Sequence, residues 1–310
     1  MNDTIIRPGG TADLAGHSVA RIGYGAMALE RFTADPEAGV RLLRRAVELG
    51  IDHIDTADFY GDSISNDLIR RAIRPVDDVV VVTKVGALKN PGGPIPLRPG
   101  QRPEQLRQAV EDNLRTLGRE RLDVVNLRRL DVGPGIVAEG EQVVDLDDQL
   151  AALIALRDAG TVGAIGLSAV DEPVLRRALP AGIVCVQNAY GVVDRRFEPL
   201  LRLCADQGIA WVPFFPLGSG FPGIPKATEQ PEVIAAAERL GATPAQIGLA
   251  WLLAHSPVAL IIAGTSSAAH LAENVAVGGI DLDPATTAEL DAIWESRFAS
   301  AGDPAPRWTD

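Results

Sequence analysis

Asp55, Tyr60 and Lys84 stand out by type and spacing. The acid and the tyrosine lie in "HIDTADFYG" (53–61), whose first residues read as a buried strand. The lysine ends "VVVVTK" (79–84), a short run of β-branched residues of the kind that fills a parallel sheet. A free tyrosine has a pKa of about 10 and donates its proton poorly at neutral pH. A neighbouring ammonium stabilises the phenolate, and a carboxylate orients the ammonium and offsets part of its desolvation cost. An acid, a lysine and a tyrosine held together therefore make a tuned general acid. It suits a reaction in which a carbonyl oxygen gains negative charge and must be protonated.

That chemistry requires the three residues to share one rim. Apolar strand-sized runs alternate along the chain with amphipathic helical stretches. The strand runs are 21–25, 52–57, 79–83, 122–127, 162–167, 183–187, 209–214 and 259–264. Helical patterns cover 37–50, 64–73, 103–118, 146–160, 172–179, 197–208, 231–241, 243–255 and 268–275, and a further one covers 283–295. Pro103 opens one of these and Gly118 closes it, the usual asymmetry of helix ends. Eight strand–helix pairs predict an α/β fold: one (β/α)8 TIM barrel over residues 1–310, with an extra carboxy-terminal helix and tail. A doubly wound sheet is disfavoured, because "GYGAM" (23–27) is a short turn and no GxGxxG follows a first strand. In such a barrel the carboxyl ends of the strands face one rim. Asp55 ends the second strand, Lys84 ends the third beside it, and Tyr60 follows in the loop. The segment "NPGGPIPLRPGQRP" (90–103) reads as a loop on the same face, a gate or substrate rim.

Composition narrows the partners. The chain has 310 residues, 46% of them hydrophobic, enough for a large core. With 29 basic and 41 acidic residues its formal charge is −12, which argues against nucleic acid or an anionic membrane surface as a partner. The expectation is a soluble, cytoplasmic protein acting on a small molecule; the sequence leaves its oligomeric state open. The amino terminus lacks a secretory pattern, and no apolar run approaches the ~18–20 residues of a membrane span. Cys185 and Cys204 give neither a disulfide framework nor zinc spacing and read as small buried hydrophobes. With no HxH pair and no carboxylate cluster, no metal is expected. His53 shares strand parity with Asp55 and is expected one layer deeper as a satisfied core histidine, while His17 and His255 read as structural or exposed. Asp58 either faces solvent or lines the mouth. Trp308, in the tail "PAPRWTD", either folds over the mouth or belongs to a loose end.

The motifs "GYGAM", "HIDTADFYG", "VTKVG", "VEDNLRTLGRERLDVVNL", "GLS", "FPLGSG" and "GTSSAAHLAENV" occur in the order expected of the aldo-keto reductase superfamily, and the chain resembles that family along essentially its whole length. The resemblance implies a barrel that transfers hydride from a nicotinamide cofactor to an aldehyde or ketone. It places Asp55, Tyr60 and Lys84 on three of four catalytic positions, with Tyr60 as the proton donor. The fourth, often histidine, is Arg128 here. Guanidinium stays protonated and cannot act as a base, but it can donate hydrogen bonds to a substrate oxygen. Strand alternation puts Val124, Asn126 and Arg128 on one face. The hypothesis is that Arg128 prefers a carbonyl substrate carrying a negative group. The structural alternative is an arginine paired with Asp131 or Asp58. "DVVNLR" resembles a bacterial branch that includes pyridoxal reductases, whose substrate carries an ionisable phenol beside its aldehyde.

The same resemblance implies a cofactor groove. It sets Ser168 and Gln187 on the nicotinamide carboxamide, with Ala169 where an asparagine is common, and Phe214 stacked on the ring. Ala26, Met27, Leu217 and Ser219 fall along the groove. Gly264, Thr265, Ser266 and His270 fall near the phosphates, where basic residues often clamp a 2′-phosphate, and Glu273 and Asn274 fall on the adenine. NADPH is the expected cofactor, with NADH possible. Two other activities fit the same sequence: reduction of another specialised ketone or sugar, and nicotinamide sensing as a regulatory subunit with little turnover.

Overall fold

Runs such as Val79–Val82 have two buried faces, and in the computed structural model they become a parallel sheet wrapped by helices. The structure describes residues 7–93, 96–219, 224–299 and 307–308. The barrel strands are β3 (Tyr24–Gly25), β4 (His53–Asp55), β5 (Val80–Val85), β8 (Leu122–Arg128), β10 (Val162–Ser168), β11 (Ile183–Gln187) and β12 (Ala210–Trp211). All six neighbouring pairs are parallel, in the spatial order β3-β4-β5-β8-β10-β11-β12.

The expected eighth strand, 259–264, forms only isolated bridges, and these join the two edges of the sheet. Ala259 bridges Trp211, and Ile261 bridges Ile22. Gly23 N donates to Ile261 O at 2.7 Å, and Leu260 N donates to Trp211 O at 2.8 Å. Closure at this seam is tight. A Cβ on Gly264 would lie 2.5 Å from Gly25 O, and one on Gly25 would overlap Ile262 O. Only glycine lets the first and last strands approach so closely.

Helices α1 (Pro36–Glu48), α2 (Ile64–Ala72), α3 (Pro103–Leu117), α4 (Leu146–Asp158), α5 (Glu172–Ala178), α6 (Glu198–Gln207), α7 (Pro231–Leu240), α8 (Pro244–His255), α9 (Ala268–Ala276) and α10 (Pro284–Arg297) follow the predicted positions within a few residues. Local chemistry sets their ends. Asp35 accepts from Ala38 N to start α1, Thr243 and Gln246 form a capping box on α8, and Gly118 in the left-handed region closes α3. Alternation divides the strand side chains. Val81, Val125, Leu167 and Val186 face outward into one large core under the helices. Val80, Val82, Val124, Cys185, Ala210 and Leu260 fill the barrel interior.

Two features differ from the sequence expectations. Residues 11–20 form an antiparallel hairpin, β1 (Thr11–Leu14) and β2 (His17–Ala20), whose Leu14 and Val19 join the interior cluster and floor the barrel. Its signal is alternation around Ala15-Gly16, both at positive φ as a two-residue hairpin turn requires. The segment 90–103 is not a plain loop. β6 (Ala87–Lys89) pairs antiparallel with β7 (Leu97–Pro99), and Pro103 already belongs to α3. In the tail, β13 (Arg307–Trp308) pairs parallel with β9 (Gly135–Ile136), so Trp308 has a fixed backbone register opposite Ile136.

Candidate active site

Asp55, Tyr60 and Lys84 come together. β4 and β5 pair with Asp55 opposite Val82, and Lys84 stands opposite Asn126 of β8. Lys84 Nζ donates to Asp55 Oδ1, and also to Thr56 O at 3.0 Å. Both partners of this ion pair are only 3% exposed, so the charges are screened by each other rather than by water. The ammonium lies 5.0 Å from the centroid of the Tyr60 ring. Burial alone would depress Lys84, but Asp55 and the Tyr60 phenol outweigh it and raise its pKa above the usual lysine value.

The loop bearing Tyr60 is pinned on both sides. Tyr60 N donates to Ala57 O at 3.0 Å, and Phe59 packs edge-on against the Tyr60 ring. Gly61, Asp62 and Ser63 are all left-handed, a turn that swings the chain from Tyr60 into α2. Asp58 is half-buried and accepts from Ser63 and Thr116 while pairing with Lys89 at 3.2 Å. Behind the ion pair, Thr83 donates to Asn113 at 2.5 Å, Asn66 Nδ2 donates to Asn113 at 3.1 Å, and Thr56 donates to Asn66. This buried network locks β4 and β5 to α2 and α3. Asn113 lies within the "DNLRTLG" stretch, but its spacing alone does not reveal that it joins these elements.

Arg128 ends β8 on the same rim, in register with Ser168 of β10. Its guanidinium stacks 5.5 Å from the centroid of Phe214, and a Cβ on Gly135 would lie 3.2 Å from one of its nitrogens. The acids that offered it a structural role have other partners. Asp131 pairs with Arg129 at 2.9 Å, and Asp58 with Lys89. Arg128 Nε is buried with no hydrogen-bond partner among the described residues. Burial lowers the Arg128 pKa, against the pull of Tyr60 and Asp55. Its backbone is held by a network the sequence does not disclose: Gln101 Nε2 donates to Arg128 O at 2.8 Å, and Gln149 Nε2 donates to Gln101.

Further polar valences open on this rim. Ser168 Oγ, Gln187 Oε1 and Asn126 Nδ2 are buried and unpartnered among the described residues. Unsatisfied buried polar atoms are rare in native proteins and mark places where a ligand or ordered water completes the bonding. Gln187 departs from expectation in one respect: its Nε2 donates to Asp55 Oδ2 at 2.5 Å. His53 also departs. It sits beneath Asp55, inside the space Gly23 leaves by lacking a Cβ, and among the described residues neither ring nitrogen makes a well-aligned hydrogen bond, the Ala20 backbone being close enough only to oppose part of the effect of burial. Burial lowers its pKa to about 4, so it is neutral at pH 7.

The remaining groove residues lie along the seam between the first and last strands. Ala26 is buried and Met27 exposed. Tyr24 OH donates to Thr265 O at 2.5 Å, and Thr265 Oγ1 accepts from Ser267 N. Ser267 caps α9 by accepting from His270 N; Gly264 and His270 are exposed, while Ser266, Glu273 and Asn274 are half-buried. Leu217 packs onto Gly248 of α8, whose Cβ would meet it at 2.6 Å, and Ser219 ends the described part of that loop. A cavity of about 370 Å³ lies beside the Phe214–Phe215 pair, lined by Pro134, Val193, Ile224 and Phe298 among others; Asp55, Tyr60, Lys84 and Arg128 do not line it. Among the described residues no group of three or more His, Cys, Asp or Glu could hold a metal ion, and no helix is long and apolar enough to cross a membrane.

The model of the Aldo/keto reductase family matches residues 21–295. The chain belongs to the aldo/keto reductase family. It is 42% identical over 290 residues to pyridoxine 4-dehydrogenase of Escherichia coli K12, covering 91% of this chain and 98% of that protein. It is 36% identical over 303 residues to an uncharacterized oxidoreductase of Schizosaccharomyces pombe, covering 94% and 92%. A crystal structure of an aldo-keto reductase from Klebsiella pneumoniae in complex with NADPH superposes with a TM-score of 0.76 at 25% identity, over 92% of this chain and 95% of that one. As an aldo/keto reductase the protein is an oxidoreductase that interconverts carbonyl and alcohol with a nicotinamide cofactor.

Proposed function

We propose that this protein is an NADPH-dependent reductase of pyridoxal-type aldehydes, formed by one barrel unit over residues 1–310, in which Asp55, Tyr60, Lys84 and Arg128 perform the chemistry. The observation that carries this reading is the buried Asp55–Lys84 pair facing Tyr60 on a rim where Arg128 Nε, Ser168 Oγ and Gln187 Oε1 lack partners. The 42% identity to a pyridoxine dehydrogenase supports the substrate class.

The residues fit a nicotinamide. A carboxamide offers one acceptor and two donors, which complement the hydroxyl of Ser168 and the carbonyl oxygen of Gln187. Thr265, Ser266 and Ser267, just before α9, supply hydroxyls to phosphate oxygens at the start of that helix. Bound there, the cofactor supplies the hydride. Tyr60 donates its phenolic proton to the carbonyl oxygen as charge builds on that atom. Lys84 stabilises the phenolate that remains, Asp55 holds Lys84, and solvent at the mouth returns the proton. Arg128 directs N–H groups toward the same oxygen or a neighbouring anionic substituent such as an ionised phenol. The test is a panel of neutral and anionic aldehydes, including pyridoxal and its phosphate, assayed with NADPH and with NADH beside Tyr60→Phe. Turnover of pyridoxal that vanishes in the variant supports the reading. Undiminished turnover in Tyr60→Phe overturns it.

A further inference from the structure

Barrel strands two and six lie across the barrel from each other, yet Gln187 of β11 reaches Asp55 of β4. The two oxygens of Asp55 are thereby held separately, Oδ1 by Lys84 and Oδ2 by the amide of Gln187. A primary amide is planar, so fixing its nitrogen fixes where its oxygen points. The reversed amide would set oxygen against a carboxylate oxygen, with no proton between them. Asp55 therefore dictates that Gln187 presents its Oε1, which is buried and unpartnered, as an acceptor.

We infer that Gln187 is a positioning residue that couples the cofactor subsite to the proton donor: one end of its amide aligns Asp55 for Lys84, and the other accepts from the cofactor carboxamide. The inference rests on the function proposed above and extends it. A residue serving the cofactor alone would affect only its binding. A residue that also holds Asp55 changes the acid itself. The charged and titratable groups around Asp55 are Lys84 of β5, Tyr60 in the following loop, Arg128 of β8, Cys185 of β11 and, one layer deeper on β4, His53, which the Ser168→Ala control leaves in place. Donor hydrogen bonds favour the ionised carboxylate. Losing the Gln187 donor frees Oδ2 of Asp55 and loosens the carboxylate that holds Lys84.

Two readouts separate these roles: NADPH affinity from quenching of tryptophan fluorescence, and kcat against pH at saturating NADPH with the aldehyde the wild type turns over fastest. Gln187→Leu is expected to weaken NADPH binding by about tenfold or more and to move the acidic limb of kcat to higher pH, because hydrogen bonds to charged groups are strong. Ser168→Ala is expected to weaken binding and leave that limb in place. Gln187→Glu preserves shape: its protonated form donates to Asp55, whereas its ionised form repels it. Its kcat relative to wild type is expected to fall about tenfold as pH rises from about 5 to about 8. Wild-type pH dependence in both Gln187 variants at saturating NADPH overturns the coupling. A wild type that neither binds NADPH nor depends on Tyr60 overturns instead the function on which it rests.

Discussion

The described residues include two partly buried tyrosine–acid–cation clusters, and the order of their members differs. At the rim the cation stands next to the phenol, in the sequence Tyr60, Lys84, Asp55. Under α6, α8 and α10 the acid stands next to the phenol. Tyr190 OH donates to Glu198, which also lies 3.2 Å from Arg195 Nε and 3.1 Å from His255 Nε2, while Trp251 Nε1 donates to Asp291. Burial and the adjoining carboxylate push the Tyr190 pKa well above the usual tyrosine value, so its proton stays in place. Burial opposes ionisation of Glu198, but His255, Tyr190 and Arg195 hold its pKa down to about 2. The aromatic rings close around it, with His255 stacked 4.4 Å from Trp251. The polar side-chain atoms of Tyr190, Glu198, His255 and Trp251 are all partnered, whereas the rim leaves Arg128, Ser168 and Gln187 with unpartnered buried atoms. A phenol beside a carboxylate keeps its proton; one beside an ammonium can release it. The same residue types make a rivet at Tyr190 and, in the function proposed above, an acid at Tyr60.

The sharpest way to break this contrast is to remove both hydroxyls in turn. Tyr60→Phe should lower kcat for aldehyde reduction by about 100-fold or more, the usual contribution of a general acid, with little change in melting temperature. A small loss of kcat would erase the distinction. Acid titration of stability comes next. His53 is lowered to about 4 from an ordinary 6.5, so its contribution is complete above about pH 6.5 and is lost as pH falls through 4. Glu198, lowered to about 2 from 4.5, contributes fully above about pH 4.5 and loses that contribution as pH falls through 2. Urea unfolding from pH 7 down to pH 4 should show the first loss, and His53→Met should flatten it. Tyr190→Phe should keep turnover and cost about 1.5–3 kcal/mol of stability, the value of a hydrogen bond to a charged group. A loss of turnover with no loss of stability would reverse the assignment of that cluster. Arg128→Ala, the smallest effect, should lower kcat/KM for aldehydes bearing an ionised phenol by about tenfold more than for neutral ones. Equal losses would show that Arg128 does not read substrate charge.

Much of this architecture is legible in the order of residues alone. Alternating strand and helix periods dictate the barrel, and Asp55 and Lys84 declare themselves because charges at the ends of apolar strands need a reason. What stays hidden depends on distance through space. Gln187 meets Asp55 across the barrel, 132 residues apart in the chain. Gln101, Gln149 and Asn113 look like ordinary polar residues of loops and helices until their partners are known. The Tyr190 cluster draws on three helices, and His255 at the end of α8 reads only as structural or exposed. The eighth strand is apolar enough to predict, yet it is joined to its neighbours only by single bridges. The opening hairpin escapes a sequence reading because four-residue strands carry little periodicity.

That hairpin has a kinetic corollary. Leu14 and Val19 stopper one end of the barrel, so among the described residues the polar rim lies at the other end. Whichever reactant lodges further in must arrive before its companion and depart after it. Ser168 and Gln187 are fully buried, whereas Arg128, in register with Ser168, is part-exposed. On the proposed seating of the nicotinamide at Ser168 and Gln187, the dinucleotide is the first guest and the last to leave.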